Sequence, residues 1–109
     1  MRPVRLTDRV VAPLDRADDW LDRWAVAYLP RARSRGMTPT GVYRAHAGPD
    51  TIELTVVWTL PHPYAFYAMR SAANVDPQVA EFWAYTDALA IERDRRASEL
   101  LEEYTCPAG

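Results

Sequence analysis

Residues 51–60 alternate polar and apolar almost without a break. Ile52, Leu54, Val56, Trp58 and Leu60 fall on one side, and Glu53, Thr55, Val57 and Thr59 on the other. A period of two describes a strand with one face in a core and the other face elsewhere. A second extended run, residues 40–46, precedes it, and Ala47-Gly48-Pro49-Asp50 joins the two into a hairpin. What the second face of that ribbon does is the functional question.

The flanking segments complete the fold. Residues 4–12 are predicted as a first strand, with Val4, Leu6 and Val10 on one face and Arg5, Thr7 and Arg9 on the other. Asp8 interrupts the apolar face. Pro13 stops the strand, and Asp15 is predicted to cap a helix whose stripe is Ala17, Trp20, Leu21, Trp24 and Tyr28. Pro30 lacks an amide donor and is expected to kink or end that helix. Arg31, Arg33 and Arg35 then read as complements of the helix dipole rather than as a phosphate clamp, and Gly36 as the stop. After Pro61-His62-Pro63, residues 64–73 read as a short helix. Asp76-Pro77 caps and restarts a second one, with Val79, Phe82, Trp83, Thr86, Leu89 and Ala90 as its stripe. The helical pattern runs on through Arg93-Asp94-Arg95-Arg96 toward Leu101, with Glu92/Arg96 and Arg95/Glu99 as i,i+4 pairs. Residues 100–105 suit either a helix end or a short last strand. Strand, helix, strand, strand, helix pair and possible strand is the split βαβ or ferredoxin-like order. It implies one α+β domain over residues 1–109, with helices on one face of an antiparallel sheet.

Composition excludes several functions. A chain of 109 residues supports one core, and no apolar run is long enough to span a bilayer. The first residues lack a signal-peptide apolar region, so a cytoplasmic protein without a membrane partner is expected. A net charge of -2 offers no field for nucleic acid. All 13 basic residues are arginine, which rules out Schiff-base chemistry through lysine. Cys106 is alone, and no metal-ligand spacing is present. Four glycines include no phosphate-binding loop.

If the hairpin closes with the four-residue loop 47–50, His46 faces Thr51, Arg44 faces Glu53 and Val42 faces Thr55. This register collects Arg44, His46, Glu53, Thr55 and Thr59 on one face. A one-residue slip would set Arg44 and His46 beside Ile52 and Leu54, at the cost of burying an unpaired arginine. The first register is therefore preferred. It nominates His46 as acid/base, Arg44 as stabiliser of developing negative charge, and Glu53 as the group that orients them. The plainer reading of the same residues is a solvated ion pair. Trp58, Tyr64, Tyr67 and Trp83 are candidate walls for a flat ligand, with Thr55 and the loop residue His62 beside them.

The chain resembles the NIPSNAP-like branch of the dimeric α+β barrel superfamily. The likeness is carried by Tyr28-Leu29-Pro30 through Gly36, by Gly41-Val42-Tyr43, by Asp76-Pro77 before Phe82-Trp83, and by Ile91-Glu92-Arg93-Asp94-Arg95-Arg96. The family pattern ends in a final strand, whereas residues 97–104 here read as more helical. The resemblance implies two subunits packed sheet to sheet, each with a pocket between sheet and helices. It also implies a cofactor-independent enzyme that cyclises, isomerises or oxygenates an aromatic or polyketide-like ligand. The alternatives are a non-catalytic binding or assembly protein and a haem-handling protein.

Overall fold

The computed structural model describes residues 1–104. The first strand, β1, spans Val4–Pro13. A 3-10 turn at Leu14–Arg16 leads into α1, Ala17–Arg23, a π-helical turn at Trp24–Tyr28, and α2, Leu29–Ser34. The hairpin strands are β2, Thr38–Gly48, and β3, Thr51–Leu60. Helices α3, Pro63–Asn74, and α4, Pro77–Leu89, precede β4, Glu92–Glu99. The four strands form an antiparallel sheet in the order β2-β3-β1-β4. The ferredoxin-like α+β expectation is met.

The molecule is a slab 20 Å thick, one helical layer on one sheet. Every apolar residue of the β3 alternation, from Ile52 to Leu60, is buried beneath the helices. Each fully buried side chain of this size stabilises the fold by about 1.5–3 kcal/mol. From the helical layer, Ala17, Trp20, Trp24, Tyr28 and Ala32 meet them. The last four recur every four residues, a spacing that drifts about 40° per step around a 3.6-residue helix. The wider π turn at Trp24–Tyr28 rotates the stripe back onto the sheet. It also absorbs the amide missing at Pro30, so the helix continues to Ser34 instead of ending there. Gly36, at φ 92°, makes the left-handed stop.

Three expectations are corrected. Asp15 does not cap a helix: it lies in the 3-10 turn, and α1 starts at Ala17 with no side-chain cap. Residues 93–96 are not helical. Helix α4 ends at Leu89, and Glu92–Glu99 pairs with β1 from Val11 to Val4. The unpaired edge of β1 offers a full ladder of partners, which outweighs the local helix preference of these residues. Residues 100–104 are neither helix nor strand, and Thr105 lies outside the described residues.

The hairpin takes the register that the sequence argument rejected. Arg44 lies opposite Leu54, His46 opposite Ile52, and Ala45 opposite Glu53. Only Pro49-Asp50 forms the turn, and register shifts at Thr40 and Ala47 absorb the extra residues. The desolvation argument failed because β2 is an edge strand that the helices do not cover. Val42, Arg44 and His46 share the helix-side face and remain exposed.

Candidate functional site

Asp8 is the residue around which the interior is organised. It lies on the helix-side face of β1 between Leu6 and Val10, and it is 2% exposed. A carboxylate there needs charge and hydrogen bonds in compensation. Arg95, opposite it on β4, donates from Nη2 to Asp8 Oδ2 over 2.9 Å and from Nε to Oδ1. Trp58 Nε1 donates to the same Oδ2 over 2.9 Å. Arg95 Nη2 also donates to Tyr28 Oη over 2.8 Å. Burial works against the Arg95 charge, but the Asp8 hydrogen bonds and charge, with Tyr28, outweigh it and raise its pKa.

Aromatic rings wall this network. Tyr28 stands 4.9 Å from Phe82, 5.3 Å from Trp83 and 5.9 Å from Trp58, centroid to centroid. The guanidinium carbons of Arg93 and Arg95 lie 4.7 and 5.2 Å from the Trp83 ring centroid, at cation–π range. Trp20 Nε1 donates to Thr86 Oγ1 over 2.9 Å, which satisfies a second buried indole. The space between sheet and helices around Tyr28 is thus filled with rings and one salt-bridged polar thread.

The predicted site residues are scattered across this framework. Glu53 is on the outer sheet face, where it accepts from Arg9, a residue that also donates to Glu92 over 2.8 Å. Arg44 and His46 are on the opposite face, so the proposed Arg44–His46–Glu53 cluster is not assembled. Thr55 lies on the outer face between Arg9 and Tyr43. Trp58 is core. His62 caps α3, its Nδ1 accepting from the Ala65 amide over 3.1 Å. Tyr64 and Tyr67 are 71% and 60% exposed on α3 and line no buried wall. Of the ligand-wall candidates, Trp83, half-buried beside Tyr28 and Arg95, adjoins the polar thread, and Trp58 is hydrogen-bonded into it. Asp8, Tyr28 and Arg95 were missed as a group. The interruption of an apolar strand face by Asp8 was the available signal, since a buried acid calls for a buried cation.

A cleft of about 770 Å³ opens elsewhere, at one end of the outer sheet face. Arg5, Thr40, Val57, Thr59 and Ser98 form its floor, and residues 100–104 flank it. The hydrogen bond from Leu100 N to Pro3 O, 2.9 Å, holds that flank against β1. Among the described residues, no cluster of three or more metal-ligating side chains occurs. No helix there is long and apolar enough to cross a membrane.

The sequence model of the NIPSNAP family matches residues 12–102. Among solved structures, a NIPSNAP-like domain protein from Burkholderia xenovorans superposes with a TM-score of 0.75 at 11% identity. The match covers 99% of this chain and 92% of that one. A dimeric ferredoxin-like protein from an uncultured marine organism gives 0.69 at 5% identity, over 98% and 95% of the two chains. A putative antibiotic biosynthesis monooxygenase from Bacillus cereus gives 0.66 at 9% identity, over 97% and 100%. No curated protein matches the sequence. At these identities the structural likeness is one of fold alone.

Proposed function

The chain belongs to the NIPSNAP family, and from that premise we propose a homodimeric, cofactor-independent enzyme acting on an enolisable aromatic or polyketide-like small molecule. The observation that carries this reading is the Arg95–Tyr28 pair. Tyr28 Oη accepts from a guanidinium that Asp8 holds in place, which leaves the phenol's own hydrogen to donate. A donor fixed in advance beside a permanent cation stabilises an enolate oxygen without reorganising. The surrounding indole and phenyl rings fill this space, and a flat substrate body reaches the phenol only where they part to admit it. The π turn that carries Tyr28 is a form enriched at functional sites. The fold shared with a putative monooxygenase agrees with this chemistry.

Dimerisation is supported by the outer sheet face and by the dimeric relative. That face has no helical cover, and it carries Arg9 in ion pairs with Glu53 and Glu92 together with the cleft beside residues 100–104. A second copy packed on it would form the barrel.

The test is turnover of enolisable aromatic compounds under oxygen by Tyr28→Phe and His46→Ala. Loss of a positioned proton donor lowers turnover by about 100-fold or more, so Tyr28→Phe is expected to fall that far while His46→Ala is unchanged. The reverse pattern returns the chemistry to the hairpin. A second reading, a non-catalytic assembly protein, is favoured by the filling of the interior with rings. Equal behaviour of both variants on every compound, with a dimer in sedimentation, would support it.

A further inference from the structure

Residues 100–104 leave β4 as an arm. The Leu100 amide donates to Pro3 O over 2.9 Å and ties the root of the arm to β1. Beyond that bond the arm stands clear of the core. Leu101 is 70% exposed and Tyr104 82%, and the two acids between them, Glu102 and Glu103, are exposed as well. The cleft of about 770 Å³ lies between the arm and the sheet residues Arg5, Val57 and Thr59. The outer face holds the chemical complement of the arm. Arg5 lies opposite Ser98 and Arg96 opposite Thr7, which sets Arg5 and Arg96 one diagonal step apart, about 7–8 Å. Both are exposed, and neither has an ion-pair partner among the described residues. Arg9, further along the same face, is taken up by Glu53 and Glu92. Two unpaired cations on the face thus match two unpaired acids on the arm.

We propose that the two copies of the dimer exchange these arms: Glu102 and Glu103 of one copy pair with the partner's Arg5 and Arg96, and Leu101 and Tyr104 fill the partner's cleft. The inference rests on the homodimer proposed above and does not involve the Tyr28 chemistry. Under two-fold symmetry a surface meets its own copy, so it must carry both halves of each contact. The outer face does so, with a basic floor and an acidic arm tied beside it. Within one copy the arm acids and Arg5 line the same cleft without pairing. Large apolar side chains exposed together mark a contact surface, and Leu101 and Tyr104 have an apolar counterpart in Val57 on the cleft floor. Opposite charges across such an interface fix its register and exclude other partners.

Charge reversal tests the exchange, read by sedimentation equilibrium of the full chain at low salt. One variant is Arg5→Glu, and the other is the double variant Glu102→Arg with Glu103→Arg. All three positions are exposed, so both variants are expected to melt with the parent. Each alone places like charges across the interface and is expected to dimerise about tenfold or more weakly, a loss that shrinks with added salt. In an equimolar mixture the reversed arm of one variant meets the reversed floor of the other, and the unaltered arm meets the unaltered floor. The mixed dimer is therefore expected to recover the affinity of the parent. No recovery on mixing overturns the proposal, because arms that serve their own copy gain nothing from a second variant. Parental affinity in either variant alone overturns it as well. Leu101→Ser with Tyr104→Ser reads the apolar half: weaker dimerisation that persists at high salt is expected, and an unchanged dimer removes these side chains from the cleft. A parent that stays monomeric sinks the homodimer itself, whereas a dimeric parent with indifferent reversals sinks the arm exchange alone.

Discussion

Asp8 and Arg9 are neighbours in sequence, yet they build two unlike ion-pair systems on opposite faces of β1. Asp8 looks into the helical layer, is closed off from water, and is held by Arg95 and Trp58. Arg9 looks outward and joins Glu53 and Glu92 on a face with no cover in the monomer. The pairs have similar chemistry but different surroundings. Inside, each charge depends on its partner because nothing else can solvate it. Outside, water and salt compete with the partner. The comparison teaches that the inner pair sets the fold and the position of Tyr28, while the outer pair is available for recognition.

The largest effect is expected at Asp8. Asp8→Ala leaves the Arg95 charge without its counter-ion and is expected to cost about 3–5 kcal/mol in denaturant unfolding. A loss near zero would erase the distinction between the two faces. An intermediate case lies at the exposed rim of the helical side, where Arg93 pairs with Asp87. The Arg93 hydrogen bond lowers the Asp87 pKa, more than burial raises it. Because the folded pKa is depressed, that stabilisation is complete above the ordinary carboxylate range and is lost as pH falls through the lowered value. Asp87→Asn is therefore expected to flatten the acid limb of the stability profile and to leave the limb above neutrality unchanged. The smallest effect on monomer stability is expected for Arg9→Gln. Its consequence should appear in sedimentation equilibrium, as weaker dimerisation whose difference from the parent shrinks with added salt. A salt-independent dimer of unchanged strength would remove Arg9 from the interface.

The sequence by itself determined the strand alternation of β3, the aromatic stripe from Ala17 to Tyr28, the caps at Asp76 and Gly36, and hence the α+β order. These are local signals, in which spacing and backbone chemistry act within a few residues. Residues 92–99 were misread because their helix propensity is local while their strand partner, β1, is more than eighty residues away. The hairpin register was misread because its argument assumed that the helices cover β2. That coverage is a property of the packed layer, and without it Arg44 and His46 have no reason to avoid the helix side. Only the tertiary structure brought Asp8, Tyr28 and Arg95 together from three elements. Their pairing depends on which charges lose contact with water at the same place, and no spacing along the chain records that.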